Sequence, residues 1–202
     1  MVRLNVTLLR RNRDFRNLWL SGVITGLGSF ATYVSMPYQL ARLTGSYVAV
    51  GVLGLTEVLP ILAFGLWGGV IADRTDRRTV VARAEASLLL LTLALFVNSR
   101  LSHPRAWIIY VVSTLFAAVD SIQRPSLDAM LPRVVAADEL ASASALRTLR
   151  GNIAHVAGPA LGGLLIAAGS VSTAYGFDAL SFVISIWRSE EHTSELQSHH
   201  DL

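Results

Sequence analysis

Glu57, Asp120 and Arg124 are ionisable side chains that lie inside largely apolar stretches. Glu57 lies about ten residues into one such stretch, or about 15 Å along a helix. Asp120 and Arg124 lie four residues apart in another stretch, so on a helix they share one face and can pair. An ionisable group within a membrane costs free energy and commonly marks a proton, ion or substrate pathway.

Glu57 is therefore the first candidate for proton coupling or for contact with a cationic substrate. The alternative is a structural hydrogen bond to a neighbouring helix. Asp120 and Arg124 are further candidates for coupling or substrate contact, and an ion pair near the membrane interface is the alternative for them.

A short, charged hinge separates two apolar stretches, with the sequence GVIADRTDRR from Gly69 to Arg78. Asp73 closes the first stretch, and Arg74, Arg77 and Arg78 open the second. Such a cluster can latch onto a helix end or an acidic partner, and breaking that latch would favour one of two conformations. The alternative is that these charges only set the topology.

Gly158 and Gly162 are small residues at four-residue spacing, and they stand next to Pro159 and Gly163. Pairs of small residues at this spacing let helices approach closely in lipid. Pro159 can also bend a helix. A bend that serves packing alone is the alternative to a functional role.

The composition indicates a membrane protein. The chain has 202 residues, of which 52% are hydrophobic and 15% charged, and its mean hydropathy is +0.51. It has no Cys, which excludes disulfides and thiolate metal sites. All of its basic residues other than His are Arg, and they cluster at the ends of apolar segments, which argues against a nucleic-acid partner.

Apolar segments of roughly 17–26 residues recur along the chain, and each is long enough to cross a bilayer as a helix. The sequence predicts an all-α integral membrane protein with six transmembrane helices, at Phe15–Pro37, Tyr47–Ala72, Thr79–Val97, Ala106–Arg124, Ala143–Ala168 and Val171–Trp187. Pro125 is expected to end the fourth helix and to begin the longest loop, which runs to Ser142.

The arginines predict the orientation. Of the sixteen arginines in residues 1–187, a cytoplasmic N-terminus places thirteen inside and leaves Arg42, Arg100 and Arg105 outside. We therefore expect a multi-pass protein of the cell membrane, that is, the bacterial inner membrane, with its N-terminus in the cytoplasm.

The hinge resembles the motif between the second and third helices of the major facilitator superfamily, usually written G-x-L-A-D-R-x-G-R-K. Asp76 stands where that family usually has Gly. Three further runs, PSLDAMLP from Pro125, GPALGGLL from Gly158 and FDALSFVIS from Phe177, resemble the drug and siderophore efflux branch, the enterobactin-exporter-like proteins. Within these runs, Gly158, Pro159, Gly162 and Gly163 match the G-P-x-x-G-G motif often seen in the fifth helix of antiporters.

This resemblance implies the N-terminal half of a major facilitator fold, built as two inverted three-helix repeats. It implies efflux of small molecules by alternating access, driven by a coupling ion, for which we expect protons. The expected partners are the substrate, the lipid bilayer and the C-terminal half of the same transporter. No cofactor, metal or nucleic acid is expected.

The last residues differ in character from the rest. RSEEHTSELQSHHDL, from Arg188, is polar, and its codons can be read as a common short-read sequencing adapter. We therefore expect residues 1–187 to be the six-helix transmembrane half and residues 188–202 to be a non-native tail, which would make the chain a truncated fragment.

Two alternatives to half of a transporter stay open at this point. A six-helix protein that assembles as a homodimer would place two such halves around one pore, and a truncated fragment would have no transport function. An enzyme is not expected, because the sequence contains neither G-x-S-x-G nor H-E-x-x-H, nor any paired intramembrane carboxylates in one short motif.

Overall fold

The computed structural model describes residues 7–11, 13–74, 76–136 and 138–198. Its account of side chains leaves out 7, 11, 13–14, 18, 66–74, 78, 130–134 and 188–198. The described residues form helices joined by short connections: α1 (Thr7–Arg11), α2 (Arg13–Thr44), α3 (Tyr47–Arg74), α4 (Arg77–Arg100), α5 (Ala106–Val134), α6 (Leu140–Ala168) and α7 (Val171–Ser198). The prediction of an all-helical fold is therefore confirmed.

Helices α2 to α7 correspond to the six predicted spans. By length and composition, α2 to α6 can each cross a membrane, whereas the apolar part of α7, Val171–Trp187, is shorter. Large apolar side chains are exposed along the bundle, most of all on α3, where Leu55, Leu59 and Leu62 are each more than 60% exposed. In water such a surface would be unfavourable, whereas in lipid it is the expected one.

The helices pack as two equivalent groups of three, which we call triplets: α2, α3 and α4 form the first, and α5, α6 and α7 form the second. Helix α2 packs mainly against α6 and α7, and α5 packs mainly against α3 and α4, while α4 and α7 pack against each other. Exchanging α2, α3 and α4 with α5, α6 and α7 leaves this contact pattern unchanged. Helices three crossings apart run in opposite directions, so this pattern is that of two inverted three-helix repeats.

Two helices continue well beyond the proline at which the sequence predicted their end. Helix α2 continues through Pro37 to Thr44, and α5 continues through Pro125 to Val134. In a packed transmembrane bundle a helix can tolerate the hydrogen bond that proline removes, because neighbouring helices support the backbone. The predicted long loop is consequently short, since α6 begins at Leu140.

The end of α2 is set by a glycine. Gly45 has φ 63°, and its N–H donates to the Ala41 carbonyl at 2.9 Å. This left-handed conformation favours glycine and ends the helix in a tight turn, so that α3 starts at Tyr47.

Two apolar clusters hold opposite ends of the bundle. One joins α2, α3, α4, α5 and α7 and consists of Met36, Leu40, Leu53, Leu95, Ile109, Val112 and Tyr175. The other joins α1, α2 and α6 with the connection before α6 and consists of Leu8, Phe15, Val135, Ala143 and Leu146. Between these clusters, the central parts of the helices carry the polar and small residues described below.

Candidate functional site

Glu57 is half-buried on α3, where it interacts with α2. A hydrogen bond links its carboxyl group to the Tyr33 hydroxyl, and Tyr33 is itself 54% exposed. The two groups therefore lie on an open face of the bundle, within apolar segments of both helices. A carboxyl group in this position can exchange a proton or meet a cationic ligand without the bundle having to open.

Asp120 and Arg124 form the ion pair that their spacing suggests. Arg124 Nε lies 2.7 Å from Asp120 Oδ2, and both side chains are partly exposed. Arg124 could also have reached Asp128 by the same spacing, but Asp128 pairs with Arg147 of α6 instead. Asp120 and Arg124 thus neutralise each other within α5, while the Asp128–Arg147 pair connects α5 to α6.

The predicted hinge connects α3 to α4. Gly69, Asp73 and Arg74 lie in the last turns of α3, and Arg78 is the second residue of α4; their side chains are outside the described part of the chain. Arg77 is described, and its Nη1 donates to the Ala129 carbonyl of α5 at 2.9 Å. A guanidinium near the carboxyl end of a helix is favourable there.

Asp76, which departs from the family pattern, caps α4. Its carboxylate accepts a hydrogen bond from the Thr79 N–H at 3.4 Å and another from the Thr79 hydroxyl at 3.0 Å. An N-cap of this kind satisfies a backbone donor that would otherwise lack a partner. The substitution of Asp for Gly therefore gives the hinge a defined helix start.

The glycines of α6 lie at a close approach to α2. A side chain at Gly162 would lie 2.9 Å from Ala31 Cα and 3.0 Å from its carbonyl oxygen, and one at Gly158 would overlap Phe30 Cβ. Gly163 faces away, because nothing lies within 4 Å of the position its side chain would take. Helix α6 runs unbroken through Pro159. Gly158 and Gly162 thus act as a packing surface in this structure.

Glycines of α2 complete the same contact from the other side. A side chain at Gly26 would lie 2.9 Å from Ala154 Cβ, and one at Gly22 would overlap the Arg150 guanidinium. Two pairs of glycines at four-residue spacing, one on each helix, therefore bring α2 and α6 together. This is the small-residue packing expected of helices in lipid.

A further intramembrane carboxylate, Asp178 of α7, lies at the centre of the bundle and is fully buried. It is not among the candidate residues that the sequence pattern indicated. Its partners lie on other helices, so spacing along the chain gives no sign of them; an Asp within an apolar segment is the only signal in the sequence. Its surroundings are hydroxyl groups of α2, α4 and α7.

Other polar groups follow the same helix interface above and below Asp178. The Tyr175 hydroxyl donates to Gln39 Oε1 at 2.9 Å, and the Ser185 hydroxyl donates to Glu85 Oε1 at 3.2 Å. Together with Asp178 they form a polar interface where α7 meets α2 and α4. The arrangement contains carboxylates and hydroxyls suited to binding cations or protons, and among the described residues no group of three or more His, Cys, Asp or Glu side chains could hold a metal.

Comparison with known proteins agrees with the fold. Residues 8–199 match the major facilitator family described as Transmembrane secretion effector. Over 184 residues, or 91% of the chain, the sequence is 32% identical to the enterobactin exporter EntS of Salmonella choleraesuis, 31% to that of Salmonella typhimurium and 30% to that of Escherichia coli O139:H28. The chain spans 44% of the length of each of these relatives. No solved structure gives a significant match.

The family match covers nearly the whole chain, and it agrees with the exchanged-triplet packing, the apolar surface and the intramembrane carboxylates. The chain is accordingly a multi-pass membrane protein of a family of transporters. It belongs to the major facilitator superfamily, within its transmembrane secretion effectors.

Proposed function

We propose that this chain is the N-terminal half of a secondary exporter that moves small molecules of the drug or siderophore class out of the cell. Its relatives are named as exporters of enterobactin, and they are more than twice as long as this chain. In this proposal the substrate binds between this half and a C-terminal half of the same transporter, and the two halves alternate in opening to either side.

The observation that carries this proposal is the position of Glu57. Its carboxyl group lies in the apolar part of α3 but stays half-buried, and it is hydrogen-bonded to Tyr33 at the exposed face. A carboxyl group that is reachable from outside the packed bundle can take up and release a proton as the two halves move. We propose that Glu57 is the proton-coupling group, and that Asp120 and Arg124 form a separate substrate contact whose charges neutralise each other in the absence of substrate.

The hinge would act as the conformational latch. Arg77 already connects the hinge to α5 of the same half. The proposed substrate contact, Asp120 with Arg124, lies on the same helix. We propose that Gly69, Asp73, Arg74 and Arg78 complete the latch at the cytoplasmic face. The orientation follows from the arginines, with the N-terminus in the cytoplasm of a bacterial cell.

The test replaces Glu57 by Gln in the complete transporter and measures uptake of a siderophore or drug into inverted membrane vesicles under a proton gradient. We expect gradient-driven uptake to be lost while the protein remains in the membrane and still exchanges substrate in the absence of a gradient. Glu139→Gln, the same chemical change in the connection before α6, is the matched control. Uptake by the Glu57→Gln variant at the rate of the unchanged transporter would contradict the proposal.

A further inference from the structure

The surroundings of Asp178 differ from those of an ordinary buried carboxylate. The side chain is completely buried, and in the described part of the chain the polar side chains that interact with it are the hydroxyls of Ser29, Thr32, Thr92 and Ser181, with no basic group among them. An isolated carboxylate in a medium of low dielectric constant is very unfavourable unless a positive charge or a proton accompanies it. The site therefore requires a cationic partner of some kind.

The hydroxyl groups donate hydrogen bonds to the carboxylate, but these bonds are long. Thr92 Oγ1 lies 3.2 Å from Asp178 Oδ2, whereas Ser181 Oγ and Ser29 Oγ lie 3.4 Å and 3.5 Å from Oδ1. Hydrogen bonds from hydroxyls to carboxylates are typically about 2.5–2.7 Å long. Ser181 donates its shorter bond, of 2.7 Å, to the Asp178 backbone carbonyl.

A second observation comes from Thr32 of α2. It is completely buried and close enough to interact with the Asp178 carboxyl group, but its Oγ1 makes no hydrogen bond of good geometry to any group of the described residues. A buried hydroxyl without a partner costs free energy, so its lone pairs are available to a ligand.

Glycine allows α2 to lie directly against the Asp178 carboxyl group. A side chain at Gly28 would lie 2.6 Å from Asp178 Oδ1 and 2.7 Å from Ser181 Oγ. Any other residue at this position would therefore collide with the carboxyl group and push α2 away from it. The close approach of α2 places Ser29 and Thr32 at the site.

We propose that Asp178, together with the hydroxyls of Ser29, Thr32, Thr92 and Ser181, forms an intramembrane binding site for one Na⁺ ion. Na⁺ has nearly the radius of Ca²⁺, and ions of that size hold oxygens at about 2.3–2.6 Å, which sets neighbouring oxygens about 3.2–3.7 Å apart. The observed separations from the carboxylate fall in that range. One carboxylate with neutral hydroxyls balances a single positive charge, which favours Na⁺ over a divalent ion.

The site is separate from Glu57. Binding of an ion at equilibrium does not require transport, so the proposal can be tested whether or not the proposed transport function is correct. A bound Na⁺ would join α2 and α4 of the first triplet to α7 of the second. It would therefore stabilise the folded bundle as well as neutralise Asp178.

The test measures binding of radioactive Na⁺ to the chain in lipid nanodiscs, with choline keeping the ionic strength constant. We expect one saturable site per chain that Asp178→Asn abolishes and Asp138→Asn, an exposed carboxylate before α6, leaves unchanged. Thr32→Val should weaken binding about tenfold, the change that corresponds to one contact of hydrogen-bond strength to a charge.

A second pair of variants separates loss of a ligand from loss of folding. Thr92→Val removes the hydroxyl while keeping the shape, and it should weaken Na⁺ binding by a similar factor. Thr92→Ser retains the hydroxyl and should bind Na⁺ nearly as the unchanged chain does. Absence of saturable Na⁺ binding to the unchanged chain, or equal binding by Asp178→Asn, would overturn the proposal and leave Asp178 as a protonated structural group.

Discussion

Two intramembrane carboxylates of this chain are placed in opposite environments. Glu57 is half-buried at an open face and interacts with one exposed tyrosine, whereas Asp178 is sealed among hydroxyl groups of three helices. Exposure suits a group that must gain and lose a proton, while a sealed oxygen cluster suits an ion that stays bound. The proposed coupling and Na⁺ sites follow from this difference.

The Tyr33 hydroxyl gives a direct test of the role of Glu57. We expect Tyr33→Phe to lower gradient-driven uptake by the complete transporter about tenfold, because the carboxyl group loses the hydrogen bond that orients it, a contact of roughly 1.4 kcal/mol. Tyr38→Phe, another exposed tyrosine of α2, is the control. If Tyr33→Phe transports at the normal rate while Glu57→Gln is inactive, the tyrosine does not assist coupling.

At the scale of the helices, the two faces of α6 make opposite predictions for the same substitution. Gly162→Ala should destabilise the bundle by about 1–3 kcal/mol, since the added methyl group meets the backbone of Ala31. Gly163→Ala should be neutral or stabilising by up to about 1 kcal/mol, because the position is open and Ala is the better helix former. Thermal unfolding of the chain in detergent measures both, and equal shifts would contradict the assigned packing.

How far the sequence could predict this structure depends on the range of each interaction. Helix number and type follow from apolar length, and the pairing of Asp120 with Arg124 follows from spacing along one helix. The prediction that Pro125 ends its helix was wrong, because packing against other helices offsets the hydrogen bond that proline removes. The partners of Asp178 and Asp128 lie on other helices, so only the fold could identify them.

At the scale of the whole molecule, the contact pattern divides the chain into two interchangeable triplets held together through α2, α5 and the α4–α7 contact. The Asp178 cluster spans the boundary between the triplets, with α2 and α4 on one side and α7 on the other.

The most exposed helix, α3, is left with a broad apolar face that lipid or a second half can cover. A homodimer would cover it as well, and the oligomeric state of the chain in mild detergent distinguishes these cases.

The orientation of the molecule can be tested because the chain has no Cys, so that each introduced cysteine is the only one. Ser102 lies in the exposed connection between α4 and α5, and Ala136 lies in the exposed connection between α5 and α6, at the opposite membrane face. With the arginine-rich connections in the cytoplasm, Ser102→Cys should react with a membrane-impermeant maleimide in intact cells. Ala136→Cys should react only after the membrane is permeabilised. The reverse labelling pattern would place the N-terminus outside the cell. The connection between α3 and α4 would then also lie outside, which would contradict the proposed latch at the cytoplasmic face.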